Sequence, residues 1–368
     1  MKINVVELIR IDMPLVSPFR TSFGVETGRD VLVVRLETDD AQGWGECVAL
    51  ADPLYSSEYT DAAQRVVAEQ LVPRLFAAGE VTTARFGEVV ASVRGHRMAK
   101  SAVETALLDA ELRASGVSLS RYLGAISTEV VSGVSVGIQD TIPELLDVVG
   151  AYLDAGYPRI KLKIEPGWDV TPVAAVREHF GDDVLLQVDA NSAYRRSDAR
   201  HLAGLDAFDL LLLEQPLDEE DVVGHAGLAR MVRTPICLDE SIVSARAAYE
   251  AIRIGACAVV NIKPGRVGGY LEARRVHDAC AAAGVPVWAG GMLETGIGRA
   301  ANLALAGLSN FTLPSDISGS DRYYAQDLTE PFVLIDGRIP IPTGPGIGVI
   351  PLPEVLAELC TCRTTLTP

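Results

Sequence analysis

The sequence predicts an α/β fold: a (β/α)8-type barrel with an N-terminal α+β capping domain that the C-terminal segment completes. Three observations predict it. From about residue 130, short apolar runs recur eight times, each followed by a stretch with helical spacing. Charged residues close five successive runs at nearly constant intervals. The first 125 or so residues differ in texture, with strands followed by helices. The expected boundaries are a capping domain over 1–125, the barrel with its site over 126–325, and a returning segment over 326–368.

Taken in order, VLVVRLETDDAQGWGECVAL (31–50) reads as a hairpin turning at Asp39–Asp40. Residues 60–80 and 98–115 have helical spacing, and Gly116 is a plausible C-cap for the second. The eight barrel strands are expected at 131–138, 159–164, 184–191, 210–216, 236–241, 259–264, 285–291 and 311–316. The Pro- and Gly-rich stretch after about 326, including DGRIPIPTGPGIG, fits neither pattern and is expected to return to the first domain.

The strand RIKLKI (159–164) poses a question. Ile160, Leu162 and Ile164 form one face, which leaves Lys161 and Lys163 together on the other. Buried ammonium groups are costly unless paired or used. Snorkelling from a sheet edge is the ordinary escape, but a closed barrel has no edge. The strand ends that follow carry Asp189, Glu214, Asp239 and Lys263, at gaps of 26, 25, 25 and 24 residues counted from Lys163. One βα unit has about that length, so each charge falls at the C-terminal end of its strand, where barrel active sites lie. Any single carboxylate there could be a helix N-cap. Five charges in step are harder to explain that way.

Carboxylates on neighbouring strands three, four and five can converge on a hard cation, with Mg2+ favoured and Mn2+ or another divalent ion able to substitute. Asn191 and Glu240 follow two of these positions and could support them. Strands two and six face each other across a ring of eight. Lys163 and Lys263 would therefore reach a central substrate from opposite sides, a base pair suited to a proton next to a carboxylate. Lys161, and Arg266 three residues after Lys263, would act as neighbouring cations that lower the lysine pKa values, with Lys161 also a contact for the substrate carboxylate.

The formal charge of −17 disfavours nucleic acid and a polybasic membrane contact. Glu7, Arg10 and Asp12 interrupt the start too early for a signal-peptide core, and no run of about 18 apolar residues occurs. Six scattered cysteines without a CxxC pair fit reduced thiols, so a cytoplasmic protein is expected. The five histidines lie away from the strand ends and are expected to pack or face solvent. GRVGG lacks the spacing of a dinucleotide fingerprint.

The lysine pair at 161–163 followed by Asp189, Glu214, Asp239 and Lys263 resembles the enolase superfamily, in its muconate lactonizing enzyme subgroup, whose barrel is a modified TIM barrel. A Lys base with Mg2+ is already a recognised pattern for that superfamily. The strings GVSVGI, RIKLKIEPGWD, VDANSAY, LEQPL, PICLDESI, NIKPGRVGGYLEARRVHD and GGMLETGIGRAANLALA are similar to the actinobacterial N-succinylamino acid racemase/o-succinylbenzoate synthase group. The resemblance implies racemization of N-acylamino acids by one lysine per enantiomer. It also implies syn dehydration of 2-succinyl-6-hydroxy-2,4-cyclohexadiene-1-carboxylate, a menaquinone-pathway step, with Lys163 as base and then acid. It further implies a small carboxylate substrate and a homo-oligomer, up to an octamer. For the substrate pocket it points to Phe19, Phe23 and Tyr55 from the capping domain, and Ser135, Gly291, Met292, Leu293 and Asp316 from strand ends. Leu50, Leu293 and Tyr323 occupy positions that vary within the group.

The nearest rivals are a dipeptide epimerase or a muconate cycloisomerase with the same lysines and metal. A Schiff-base aldolase would use one lysine as nucleophile, but has no need of three carboxylates in step. A barrel that only binds metal or an acidic ligand has no need of two opposed lysines.

Overall fold

The computed structural model describes residues 1–368. Its first layer is a four-stranded antiparallel sheet. Ile3–Thr21 pairs with Gly24–Thr38, which pairs with Gln42–Cys47, and Cys360–Leu366 adds to the free edge of Ile3–Thr21. The hairpin turns at Asp39–Asp40, where the Thr38 hydroxyl accepts the Asp40 and Ala41 N–H groups.

The long strand Ile3–Thr21 has no counterpart among the expected elements. The sheet buries both faces. Ile9, Ile11, Met13, Val31 and Val33 join the barrel-side core, while Val6, Leu8, Leu32, Val34 and Leu36 join the core under the capping helices. With apolar residues on both faces, the period-two signal of a half-buried strand disappears.

The capping helix Arg97–Ser115 ends at Gly116, whose φ of +68° places it in the left-handed region glycine tolerates. It lies close on Gln42–Cys47. A Cβ at Gly43 would sit 1.9 Å from the Ala106 carbonyl oxygen, and one at Gly45 would sit 2.0 Å from that of Ala102. These are backbone atoms that cannot swing away. Gly45→Ala is expected to cost about 3 kcal/mol, read as a lower urea midpoint with an unchanged slope. The expected helix over 60–80 is interrupted. Val67–Leu71 is a π-helical turn between Thr60–Val66 and Val72–Ala78. Pro73 has no N–H to offer the ladder, which shifts register there.

The second layer is a parallel barrel. Seven strands pair in chain order: Gly133–Val136, Arg159–Lys163, Leu185–Asp189, Leu213–Glu214, Ile236–Leu238, Val259–Ile262 and Val287–Ala289. The eighth segment, 311–316, closes the ring through bridges Val287↔Phe311 and Ser132↔Ser315 rather than as a regular strand. Pro314 in its middle removes a ladder donor. The fourth strand is shorter than expected, and it ends at Glu214, where Gln215 turns to φ +36° and Pro216 follows. Arg338–Pro340 pairs with Glu129–Val131 beside the start of the first barrel strand. No helix is long and apolar enough to cross a membrane.

Glu46, on the capping sheet, fastens the two layers. Its carboxylate accepts the Thr295 N–H at 3.0 Å, the Thr295 hydroxyl at 2.7 Å and the Gly298 N–H at 2.9 Å, at the start of the barrel helix Gly296–Ala306. Burial outweighs these bonds and pushes its pKa from 4.5 up to about 7. The unfolded carboxyl ionises first, so the folded state holds the proton more tightly between pH 4.5 and 7. Glu46 is therefore expected to weaken the fold as pH rises through that window. Relative to the wild type, Glu46→Gln should gain urea stability between pH 5 and pH 8.

Candidate active site

The ladder aligns Lys163 with Asp189 and Asp189 with Glu214, so these three side chains stand at one level of the barrel. The next pairing puts Glu214 opposite Cys237, and Asp239 lies one further inward position along. Lys161, Lys163, Asp189, Glu214, Asp239, Glu240, Lys263 and Arg266 are all buried. The backbone bends sharply at the strand ends that carry them. Asn191, Ser192, Gln215 and Leu293 all have positive φ, the kind of strain that collects at functional sites. Gln215 holds one bend in place, its side-chain oxygen accepting the Asp239 and Ser241 N–H groups.

The charges interlock. Lys163 Nζ lies 2.6 Å from Asp189 Oδ2 and 2.6 Å from Asn191 Oδ1. Asn191 in turn donates to Glu240 Oε1 at 2.8 Å. On the opposing strand, Lys263 Nζ lies 2.8 Å from Asp239 Oδ2 and 3.0 Å from the Tyr55 hydroxyl. Tyr55 reaches in from the capping domain and bonds Asp239 at 3.1 Å. Arg266 donates to Tyr55 at 3.1 Å and also to the Glu240 carbonyl.

Lys161 is held by acidic side chains. Its ammonium sits among three carboxylates: Asp316 at 2.5 Å, Glu214 at 3.2 Å and Asp189 at 3.3 Å. Burial alone would lower its pKa, but Asp316, then Glu214 and Asp189, raise it well above the ordinary value. Lys263 behaves alike, with Asp239 the leading counter-charge against burial. The sequence suggested that Arg266 lowers the Lys263 pKa; here the neighbouring anions, Asp239 first, outweigh any nearby cation.

The same pairing turns the carboxylates of Asp189, Glu214 and Asp239 onto ammonium groups, and no three acidic, His or Cys side chains stand in a metal-holding group. Their environment nevertheless fits a cation. Burial and the adjacent Asp189 push Glu214 up to about 8, and burial with Asp239 pushes Glu240 up to about 7. Asp239 Oδ1 and Glu240 Oε2 are buried without a hydrogen-bond donor. A set of crowded, partly unsatisfied carboxylate oxygens is the donor chemistry a hard divalent ion accepts.

The expected pocket residues divide. Phe19, Phe23 and Tyr55 do come over the barrel mouth. Phe23 packs on Tyr55 with ring centroids 5.7 Å apart, and Phe19 meets Tyr323 edge-on at 6.2 Å. A cleft of about 270 Å3 opens between Phe23, Tyr55, Asn191 and Glu240. Ser135 is buried with its hydroxyl unpartnered. Asp316 must be reassigned: its carboxylate is buried between Lys161 and Arg159, the latter at 2.6 Å, and is not free for an acyl group. Gly291 is also structural, since a Cβ there would come within 2.6 Å of the Asp316 carbonyl oxygen. Met292 packs into the capping-domain core beside Leu50 and Tyr55. Leu293 holds its strained bend, its carbonyl accepting the Tyr324 hydroxyl. His225 and His277 use ring nitrogens to accept the backbone N–H groups of Leu217 and Asn310, a packing role.

Three contributors were missed from sequence. Arg159 lies fully buried under Trp288, 5.3 Å from the ring, where only a glycine at 133 leaves room. It continues the alternation of Lys161 and Lys163, so the signal was present in RIKLK. Asn261 donates to Glu214 Oε1 at 2.6 Å and stands two residues before Lys263 on the same face. Arg322, after the eighth strand, donates to the Ser135 carbonyl and lies over Phe19 and Tyr323. No spacing rule marked it.

A two-layer fold, with a polar lysine–carboxylate cluster at the barrel mouth under a capping sheet, defines a class of capped-barrel enzymes. Residues 5–124 match the mandelate racemase/muconate lactonizing enzyme N-terminal domain, and residues 144–355 match the enolase C-terminal domain-like family. The chain belongs to the enolase superfamily. It is 65% identical over 363 residues to an N-succinylamino acid racemase of Amycolatopsis sp, covering 99% of each chain. It is 47% identical over 352 residues to an o-succinylbenzoate synthase of Geobacillus kaustophilus, covering 95% of this chain and 94% of the other. A crystal structure of an enolase superfamily member from Listeria innocua superposes with a TM-score of 0.95 at 38% identity, covering 100% of this chain and 99% of the other.

Proposed function

We propose that the protein removes the proton α to a carboxylate and acts as an N-succinylamino acid racemase, an o-succinylbenzoate synthase, or both. The observation that carries this reading is the pair of buried lysines on opposed strands, each anchored by its own carboxylate, Lys163 by Asp189 and Lys263 by Asp239. In racemization, one lysine as free amine takes the α-proton, leaving an enediolate. The other, as ammonium, returns a proton to the opposite face. In the dehydration, Lys163 takes the proton and then protonates the departing hydroxide on the same face, while Lys263 steadies the enediolate as a cation.

Asp189, Glu214 and Asp239 would hold a divalent cation, Mg2+ by donor chemistry, with Asn191 and Glu240 supporting them. Bound there, it supplies positive charge opposite the developing dianion. Lys161 stays protonated between its carboxylates and serves as a fixed cation at the floor of the site. Tyr55 keeps Lys263 and Arg266 oriented and closes the site from the capping side. Phe19, Phe23 and Tyr323 exclude water. This reading places the protein in the cytoplasm, in menaquinone synthesis or amino-acid conversion, as a homo-oligomer.

The relatives of both names support both reactions, since the two share one enediolate. The test is proton NMR in D2O with N-succinyl-L-phenylalanine and Mg2+. Loss of the α-proton signal, together with decay of optical rotation to zero, is expected. Chelation should stop both and added Mg2+ should restore them. Absence of exchange with metal present would remove the racemase reading and leave the dehydration to be assayed.

A further inference from the structure

We propose that the junction of the capping domain and the barrel holds a second binding site, away from the lysine cluster, for a compact anion carrying at least two negative charges. The chain is strongly acidic at −17, yet VVASVRGHRMAKSAV (89–103) contains Arg94, His96, Arg97 and Lys100 and no acidic residue. None of these three long cations is paired with a carboxylate. Arg94 and Arg97 make no hydrogen bond or ion pair, and the Lys100 ammonium bonds only the Val93 carbonyl, at 2.5 Å. Elsewhere in the fold, arginines with acidic neighbours pair with them, as Arg65 does with Glu69 and Arg246 with Glu250.

Gly95 and His96, with φ of +63° and +51°, turn the chain abruptly into the helix that begins at Arg97. Arg97 and Lys100 thus stand one helical turn apart on one side of a cavity of about 300 Å3. Val243 and Ser244 of the barrel, with Val267 and Gly268, also line it. Two acidic side chains also line the cavity, but both are engaged. Glu104 accepts the Leu271 N–H at 3.1 Å. Glu272 accepts the Ala245 N–H at 2.9 Å and pairs with Arg275 at 3.0 Å. The charge left over is positive. Burial and the adjacent Arg97 depress the Lys100 pKa, and Glu58, which is engaged by the Met98 and Ala99 N–H groups, offsets them only in part, a conflict that a bound anion would relieve.

The cavity fits a phosphate ester or a tricarboxylate, since its volume is at the lower end of small-molecule sites. The anionic oxygens would take charge-assisted bonds from Arg97 and Lys100. The location gives the site a route to the chemistry. Val243 and Ser244 lie three and four residues after Glu240 in the chain, and Val267 and Gly268 follow Arg266. An occupant would therefore brace the two loops that leave the fifth and sixth strands.

The test is isothermal titration of the Mg2+-loaded enzyme with inorganic phosphate and, separately, with tricarballylate, at constant ionic strength. One saturable site is expected for at least one of them, and the tighter anion identifies the source as phosphate or carboxylate. Arg97→Met/Lys100→Met should weaken that binding about tenfold or more while leaving turnover without anion unchanged. If the double variant folds poorly, Lys100→Met alone, at a half-buried position, should still weaken binding severalfold. Equal affinity in wild type and variants, or no saturable binding of either anion to the wild type, would overturn the proposal.

Discussion

Lys163→Ala and Lys263→Ala should each lower net racemization of an N-succinylamino acid by about a thousandfold or more, with the fold intact. A positioned acid–base group contributes about 10²- to 10⁴-fold, and racemization needs both faces served in every turnover. Neither residue can cover for the other. Lys163 is tied to Asp189 and Asn191 on one side, Lys263 to Asp239 and Tyr55 on the other. The dehydration should divide them. It uses one face, so Lys163→Ala should abolish it, while Lys263→Ala removes only a stabilising charge and should cost less. The comparison needs optical rotation for one reaction and an absorbance assay for the other, with both variants loaded with Mg2+.

Asp316→Asn is expected to be the most damaging substitution for stability around the site, at about 3–5 kcal/mol. The Asp316 carboxylate is the shared partner of two buried cations, Arg159 at 2.6 Å and Lys161 at 2.5 Å. Those cations, Arg159 first, hold its pKa down at about 2 against burial, so it remains charged across the working pH range. Neutralising it leaves Arg159 with a single backbone acceptor, the Pro314 carbonyl at 2.9 Å. Lys161 still has Glu214 and Asp189, so Arg159 bears most of the cost. Replacing both members of the outer pair, Arg159→Met with Asp316→Leu, should recover part of the loss, because the uncompensated charge is then gone. Urea denaturation of the two variants against the wild type provides the check.

The barrel was legible because its strands are buried on both faces and each is followed by a helix, so the sequence repeats with a period near 25 residues. The lysines and carboxylates were legible for the same reason, since a constant interval puts them at one end of the barrel. What stayed hidden has physical causes. Ile3–Thr21 is packed between two cores and shows no alternation. Arg322 reaches the site from an irregular segment after the eighth strand, where no period exists. Asp316 was recognised as a strand-end charge, but its target was misjudged, because the partner Arg159 sits two residues before the lysine pair and was read as the strand's first residue only. The expectation of a lowered Lys263 pKa did not hold, because spacing reveals which cations are close and says nothing of the anions that fold in from other strands.

The most direct test of the two-lysine account is α-proton exchange in D2O, followed separately for N-succinyl-L- and N-succinyl-D-phenylalanine with each single-lysine variant and Mg2+. The account predicts that Lys163→Ala exchanges only one enantiomer and Lys263→Ala only the other. A variant that still exchanges both enantiomers would contradict it.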